Sequence, residues 1–219
     1  MNANECQYGV LTGDLVGSSK VSPTELRDTM NVLRKGAAEF AAAFPNSVWG
    51  DLDVFSGDGW QLLLRRPGLS LRAAVFLRCR VKGIEGLKLD SRVAVSWGHI
   101  DEETVKPKRV SEASGEAFTA SGRALAEMPK RRRFGLRVTT SGPEKLFLGA
   151  SIGLLDELAA RWTARQAQTL TLALLGKNQE EIASAMGKKQ PTIYQALQSA
   201  GWNAVEGLLD AVENRHEGL

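Results

Sequence analysis

Two apolar segments, residues 48–55 and 60–65, are separated by the short sequence Ser-Gly-Asp-Gly at residues 56–59. An Asp-Gly pair between two apolar runs is the commonest short signal of a β-hairpin, so the sequence predicts two antiparallel strands here. A hairpin inside the chain excludes an all-helical fold. One alternative stays open at this point: Asp58 serves the turn alone, or it also holds a ligand.

The segments on either side of the hairpin predict helices and further strands. Residues 8–12 are a short apolar run that ends at a Gly-Asp pair, which is typical of a buried strand. Ser22, Pro23 and Glu25 predict the start of one helix, and Ser70 is expected to cap a second. The later predicted elements are a strand at 91–100, a helix near 116–127 and a strand at 134–140. This order favours an α+β fold: a mostly antiparallel, ferredoxin-like or palm sheet with helices on one face.

The pattern of the chain changes after about residue 160, where it becomes wholly helical. Gly176, Gly187 and Gly201 stand where these helices are expected to end. We therefore predict two domains: a larger one over residues 1–150 and a small all-α helix-turn-helix domain over residues 161–219.

The turn at Gly187 separates two short predicted helices, and the segment resembles the helix-turn-helix of sigma-factor region 4. The second helix would begin at Gln190 and Pro191 and act as the recognition helix. Lysine suits phosphates, whereas glutamine and threonine reach base edges. The predicted DNA contacts are Lys188, Lys189, Gln190, Thr192, Tyr194, Gln195 and Gln198. Residues 161–219 carry six basic and six acidic side chains, so a bundle that only packs on the main domain or mediates dimerisation is the alternative.

Two Gly-Asp pairs stand beside predicted strands: residues 13–14 lie where a buried strand leads into a loop, and residues 57–58 lie in the predicted hairpin turn. If these strands are neighbours, Asp14 and Asp58 converge, and with the backbone carbonyl of Leu15 they would make a hard site for Mg²⁺ or Mn²⁺. Amides of the loop after the first strand could meet phosphate oxygens. The candidate nucleotide-binding residues are Val16, Gly17, Ser18 and Ser19. The ordinary alternative is that Asp14 caps a helix and Asp58 serves a turn.

Four segments in the same order resemble the catalytic domain of class III nucleotide cyclases: "DLVGSS", "SGDGWQLLL", "SRVAVSWGHID" and "GEAFTASGRAL". Such a domain followed by a helix-turn-helix resembles the SatD family. The resemblance implies a nucleotide cyclase-like palm domain over about residues 8–140, with Asp14, Asp58 and the Leu15 carbonyl as metal ligands. It also implies that Arg123 stabilises charge on the transferred phosphate. Because this arginine acts across a dimer in cyclases, the resemblance implies a homodimer.

Two positions depart from the cyclase pattern. Thr119 stands where cyclases have a transition-state asparagine, and Val54 stands where they have the lysine that selects adenine. The resemblance therefore implies binding of a metal–nucleotide complex more strongly than it implies ATP cyclisation. Three functions are open. One is a transcriptional regulator that binds DNA and a nucleoside triphosphate or related nucleotide. The second is a divergent nucleotide cyclase or nucleotidyltransferase with an accessory helix-turn-helix, and the third is a degenerate palm that serves only as a dimerisation platform.

Composition limits the other classes of function. The 219 residues include only two cysteines and two histidines, so neither a zinc centre nor a Ser-His-Asp triad is expected. The apolar runs are shorter than the ~20 residues of a membrane span, and the N-terminus shows no export signal, which predicts a cytoplasmic protein without a membrane partner. The basic runs "KPKR" at 106–109 and "KRRR" at 130–133 fit either a solvated surface or a phosphate site.

Overall fold

A five-stranded sheet forms the centre of the N-terminal part in the computed structural model, which describes residues 7–138 and 142–217. The strands are β1 (Tyr8–Val16), β2 (Asp53–Ser56), β3 (Gly59–Leu64), β4 (Asp90–Gly98) and β5 (Phe134–Arg137). They lie in the order β2-β3-β1-β4-β5. β1 pairs antiparallel with β3 and β4, β2 pairs antiparallel with β3, and β5 runs parallel to β4.

Helices connect the strands in a pattern that identifies the fold. α1 (Pro23–Ala43) joins β1 to β2, and α2 (Ser70–Lys82) joins β3 to β4. β3 lies between β1 and β2, and β1 lies between β3 and β4, which is the split arrangement of ferredoxin-like sheets. The predicted α+β fold with a palm-type sheet is therefore confirmed.

The starts of the two helices differ in how well the sequence predicts them. α1 begins with a complete capping box, in which Ser22 accepts from the Glu25 amide and the Glu25 carboxylate accepts from the Ser22 amide. The expected cap at Ser70 is wrong, since Ser70 is already the first residue of α2. A short 3-10 helix, Pro67–Leu69, leads directly into α2 and replaces a side-chain cap.

The two faces of the sheet carry different helices. Successive residues of a strand point to opposite faces. Leu11 and Leu15 of β1 belong to the main apolar core with α1 and α2, whereas Val10 packs in a second cluster with residues of α3 (Glu116–Ala126). By this alternation Asp14 lies on the same face as Val10, the face that α3 partly covers.

In the described part of the chain, five α-helices follow β5. They are α4 (Pro143–Ala160), α5 (Ala164–Leu174), α6 (Gln179–Met186), α7 (Gln190–Ser199) and α8 (Trp202–Glu217). The wholly helical pattern after residue 160 is confirmed, and Gly176, Gly187 and Gly201 have positive φ angles between these helices. α4 was not predicted. The division into domains of residues 1–150 and 161–219 stays a prediction.

Ion pairs and one continuous apolar core join the C-terminal helices to the sheet part. Arg78 of α2 is fully buried; its Nε lies 2.9 Å from Asp90 Oδ1 and its Nη1 lies 2.9 Å from Asp156 Oδ1 of α4. Arg72 of α2 donates to Glu213 of α8 at 2.6 Å. α2 is therefore tied to both α8 and α4.

Two further predictions concern the last strand and membrane-spanning helices. The strand predicted at 134–140 is present over Phe134–Arg137, while residues 139 and 140 lie outside the described residues, as does Cys6. Within residues 7–138 and 142–217, no helix has both the length and the apolar character needed to cross a bilayer.

Candidate functional site

Asp14 is opposite Arg92 in the β1–β4 ladder. The Nε of Arg92 donates to Asp14 Oδ1 at 2.9 Å, and its Nη2 donates to Oδ2. This two-point contact is the strongest geometry available to a guanidinium and a carboxylate. The Arg92 side chain is 26% exposed and that of Asp14 is 22% exposed. The charge of Asp14 is thus balanced within the sheet, at a place that solvent still reaches.

Asp58 lies in the turn between β2 and β3 that the sequence predicts. The Ser18 hydroxyl donates to Asp58 Oδ2 at 2.5 Å, which ties the loop after β1 to this turn. The hydrogen bonds with Asp14 raise the pKa of Arg92; desolvation opposes this rise, and the charges of Asp14 and Asp58 add to it. The structure therefore places Asp14 against Arg92 and Ser18 against Asp58, and the charge of Asp58 acts on the same guanidinium.

Two glycines allow the chain to take this path. A Cβ on Gly13 would lie 2.4 Å from the ring of Trp60 and 2.7 Å from the Arg92 carbonyl oxygen. Trp60 is fully buried, so its ring has little freedom to move away. Gly17 has a φ of +91°, which lets the chain turn directly after β1. Close packing beside Asp14 and the turn beyond it both depend on glycine.

The residues present can be compared with the predicted Mg²⁺ or Mn²⁺ site. Both carboxylate oxygens of Asp14 accept from Arg92, and Leu15 is a ladder residue with a buried side chain. In the described ranges, no group of three or more His, Cys, Asp or Glu side chains is arranged to hold a metal ion. The Arg92 guanidinium occupies both Asp14 oxygens, which a metal cation would need. This arrangement does not fit the metal while Arg92 holds Asp14, and ligation by Asp14, Leu15 and Asp58 stays a prediction.

Thr119 and Arg123, to which the cyclase resemblance gives catalytic roles, lie on α3. The Thr119 hydroxyl donates to the Gly115 carbonyl at 3.2 Å, and Arg123 is exposed one turn further along. A hydrogen bond of 2.7 Å between the Thr12 and Ser121 hydroxyls fixes α3 to β1. Within residues 7–138 and 142–217, no hydrogen bond or ion pair connects Thr119 or Arg123 to either aspartate. Their catalytic roles stay predictions.

The loop after β1 serves two places. Ser18 contacts Asp58, whereas Val16, Gly17 and Ser19 line a cavity of about 1230 Å³ at the end of the sheet. Three of the four residues predicted to meet phosphate therefore share one cavity, and Ser18 contacts Asp58 instead.

α6 and α7 form a helical hairpin whose inner side is apolar. The Asn178 side chain accepts from the amides of Glu180 and Glu181, which starts α6, and Gly187 ends it with a φ of 60°. The residues that close the inner side are buried: Ile182, Ala183, Ile193 and Leu197. Two helices joined by a turn at Gly187 therefore lie where the helix-turn-helix is predicted, and their inner side belongs to the main apolar core; the helix-turn-helix assignment stays a prediction.

The outer side of α7 is polar and faces solvent. All the predicted DNA contacts are exposed: Lys188, Lys189, Gln190, Thr192, Tyr194, Gln195 and Gln198. Gln190 donates to Gln179 at 2.8 Å across the two helix starts. In the part of the chain that the structure describes, neither Lys188 nor Lys189 forms an ion pair. These side chains are available to a ligand without rearrangement.

Sequence reasoning missed Arg92. The alternating pattern of residues 91–100 indicates that Arg92 belongs to a strand. That pattern does not contain the register that places Arg92 opposite Asp14, because register depends on which strands become neighbours. Arg92 could have been identified as the partner of Asp14 only if the Asp14 strand had been predicted to pair with the 91–100 strand.

No family model matches the sequence, and no curated protein is similar to it at a significant level. Among solved structures, the guanylyl cyclase Cya2 is 17% identical, with a TM-score of 0.42, over 60% of this chain and 74% of that one. A bacterial light-regulated adenylyl cyclase is 14% identical, with a TM-score of 0.43, over 59% of this chain and 42% of that one. Both TM-scores are below 0.5, so the fold assignment depends on strand order and pairing, and the SatD resemblance stays a prediction.

Proposed function

We propose that this protein is a cytoplasmic DNA-binding transcriptional regulator that contacts DNA through the α6–α7 hairpin and binds a metal–nucleotide ligand through its N-terminal part. The observation that best supports DNA binding is the outer side of α7. It presents exposed glutamine and threonine side chains directly after two exposed, unpaired lysines.

The order of these side chains suits a recognition helix. Lys188 and Lys189 precede α7 and would contact phosphates, which fixes the register of the helix on the duplex. Thr192 and Gln195 follow on the exposed side and would reach base edges in the major groove. Lysines therefore supply affinity, and the residues within α7 supply sequence preference.

The charge of the C-terminal part determines how it could attract DNA. Residues 161–219 carry as many acidic as basic side chains, so attraction to DNA would come from the local lysines and not from overall charge. A single hairpin of this kind binds weakly. A homodimer with two-fold symmetry would place two copies of α7 on a palindromic site and supply the missing affinity.

The nucleotide ligand is assigned to the surroundings of Arg92. A phosphate group offers a guanidinium the same two-point hydrogen bonds that Asp14 provides. A nucleotide that binds Arg92 through its phosphates would therefore release the Asp14 carboxylate, close to Asp58 and Ser18. This exchange would link nucleotide binding to a change in the contact between β1 and β4.

Selection from a random duplex library tests the DNA-binding proposal. We expect enrichment of a palindrome whose half-sites are about one helical turn apart, because two recognition helices of a dimer would read successive major grooves. Failure to enrich any sequence at low salt would contradict the proposal. The selection is repeated with and without Mg²⁺ and nucleoside triphosphates, which reveals whether the ligand changes the enrichment.

A divergent nucleotide cyclase or nucleotidyltransferase is the second candidate. The observation that favours it is the contact of Asp14 with Arg92, together with the hydrogen bond that ties Asp58 to the loop after β1. Incubation with each nucleoside triphosphate and Mn²⁺, followed by chromatography, would reveal a cyclic or linked product. A product that disappears in Asp14→Ala would support this candidate, and no product from any triphosphate would exclude it.

A further inference from the structure

A cavity of about 1230 Å³ lies where β1 ends and β4 begins. Its wall combines distant segments: the loop after β1, the last residue of α2, the residues before β4 and those before β5. Trp162 and Ala164, at the start of α5, complete the wall. A ligand in this cavity would touch both the sheet part and the C-terminal helices.

The side chains that line the cavity are strongly basic. They include Lys20, Lys82, Lys88, Lys130 and Arg133, against a single carboxylate from Asp90. In the described part of the chain, Lys20, Lys88 and Lys130 form no ion pair. The positive charge of this cavity is therefore not balanced by its own lining.

Asp90 neutralises little of the positive charge in this cavity. Both Asp90 oxygens accept from the fully buried Arg78, at 2.9 and 3.0 Å. Lys82 Nζ and Arg133 Nε are 3.9 and 3.7 Å from the same carboxylate. Arg133 is further fixed, since its Nη1 donates to the Lys130 carbonyl at 2.8 Å. The carboxylate is shared among several cations, so a net positive charge remains for a ligand.

We propose that this cavity binds a small anion with a chain of linked phosphates, either a free oligophosphate or the phosphate chain of a nucleotide. Several separate cations around one space suit a ligand that carries several separate negative charges. The side chains of Lys82 and Arg133 are recessed, 14% and 21% exposed, so a compact ligand reaches them and a rigid duplex does not. The inference goes beyond the DNA contacts of α7 and the ligand assigned to Arg92: it assigns a role to the cations of a cavity that Val16, Gly17 and Ser19, predicted to bind a nucleotide, also line.

Calorimetric titration of the full chain with sodium tripolyphosphate, at about 0.15 M salt, tests this site. The test variant is Lys88→Gln/Lys130→Gln, which removes two exposed lysines of the cavity. The control is Lys35→Gln/Lys108→Gln, which removes the same charge from exposed positions that do not line the cavity. Neither variant breaks an ion pair in the described residues, so both should melt at the wild-type temperature.

We expect one tripolyphosphate per chain, about tenfold weaker binding in the cavity variant, because two cationic hydrogen-bond donors are lost, and unchanged binding in the control. Tripolyphosphate should also raise the melting temperature, since it binds the folded state. Equal weakening in both variants would overturn the proposal in favour of general charge attraction. Orthophosphate that binds as tightly as tripolyphosphate would overturn the claim of a linked chain.

Two further arms distinguish the sources of the ligand and exclude DNA. ATP and GTP are titrated in the same way; tighter binding than tripolyphosphate identifies a nucleotide, and equal or weaker binding identifies a free oligophosphate. Displacement of tripolyphosphate by duplex DNA, together with loss of DNA binding in the cavity variant, would overturn the proposal, since the cavity would then be a DNA backbone contact. The variant Gln195→Ala separates this result from a failure of α7, because it leaves the cavity intact.

Discussion

The α6–α7 hairpin and the Asp14–Arg92 site differ in how their polar groups are satisfied. On the outer side of α7, the lysine and glutamine side chains are exposed, and the lysines have no ion-pair partner in the described ranges. At the end of β1, Asp14 already holds Arg92 with both oxygens, and Asp58 accepts from Ser18. The first region is open to a partner as it stands, whereas the second must exchange one partner for another.

This difference indicates separate roles. Unpaired exposed side chains cost the fold little and can bind a large ligand directly. A paired site a quarter exposed can bind only a ligand that replaces the contacts it breaks. Under the proposed function, the hairpin would contact DNA constantly, and the paired site would act as a switch that depends on a ligand.

Arg78, Asp90 and Asp156 are the most deeply buried of the paired charges discussed. Disruption of their contacts should therefore cause the largest loss of stability. Arg78→Met leaves Asp90 and the buried Asp156 without their main partner, so we expect a loss of about 3–5 kcal/mol in the free energy of unfolding. Lys189→Met, at an exposed unpaired position, should change it by less than about 0.5 kcal/mol. Urea unfolding measures both. A loss below about 1 kcal/mol for Arg78→Met would contradict the assignment of this cluster to stability.

Removal of the two lysines before α7 tests whether the exposed, unpaired side chains of this region contact DNA. Lys188→Ala/Lys189→Ala should weaken binding to all DNA sequences alike and reduce the slope of log affinity against log salt by about 2, since each lysine neutralises one phosphate. Fluorescence anisotropy at several salt concentrations measures the slope. The matched control, Lys35→Ala/Lys108→Ala, should leave it unchanged; an equal reduction in both variants would show that the contact is not localised at the hairpin.

Arg92→Gln tests whether Arg92 keeps the Asp14 carboxylate from binding a metal ion. Because the ion pair is partly exposed, its loss should cost only about 1 kcal/mol or less of stability. The freed Asp14 carboxylate should bind Mn²⁺ more tightly than in the wild type, and the added change Asp14→Asn should remove that gain. Mn²⁺ titration followed by electron paramagnetic resonance measures both. If Arg92→Gln binds Mn²⁺ no better than the wild type, Asp14 is not a metal ligand.

A pH-dependent effect is expected from His216, whose ring lies against Trp97 with centroids 4.5 Å apart. Burial, and then the charge of Arg215, lowers the pKa of His216 to about 4, against the opposing charge of Glu144. Between about pH 6.5 and 4 the unfolded state binds a proton that the folded state does not, so stability should fall as the pH falls through this range. Thermal unfolding across these pH values measures the loss. His216→Phe should flatten it, and an unchanged pH profile in this variant would contradict the assignment to His216.

The sequence predicts much of the fold because its signals are local. The Asp-Gly turn, the Ser22–Glu25 capping box and the glycines after the C-terminal helices each act within a few residues. Ser70 shows the limit, since a preceding 3-10 helix removed the need for a cap. α4 was missed because its exposed side chains include Leu146, Phe147 and Leu154, which blur the apolar face that marks an amphipathic helix.

The candidate site is harder to predict because it depends on distant pairing. The sequence predicts that Asp14 and Asp58 lie near each other, and the structure brings both into range of Arg92. The pairing of Asp14 with Arg92 follows from the antiparallel register of β1 and β4, which no local pattern contains. For the same reason, the basic cavity combines Lys20, Lys88 and Lys130 from three separate segments that no motif connects.

The affinity ratio between a selected DNA duplex and an unrelated duplex tests the central claim most directly. We predict that the wild type prefers the selected sequence and that Gln195→Ala lowers this preference by about 1–3 kcal/mol, roughly 5- to 150-fold, because a base-edge contact is lost. Gln7→Ala, an exposed glutamine at the start of the described chain, should keep the wild-type ratio. A Gln195→Ala variant that retains the full preference would contradict recognition of DNA by α7.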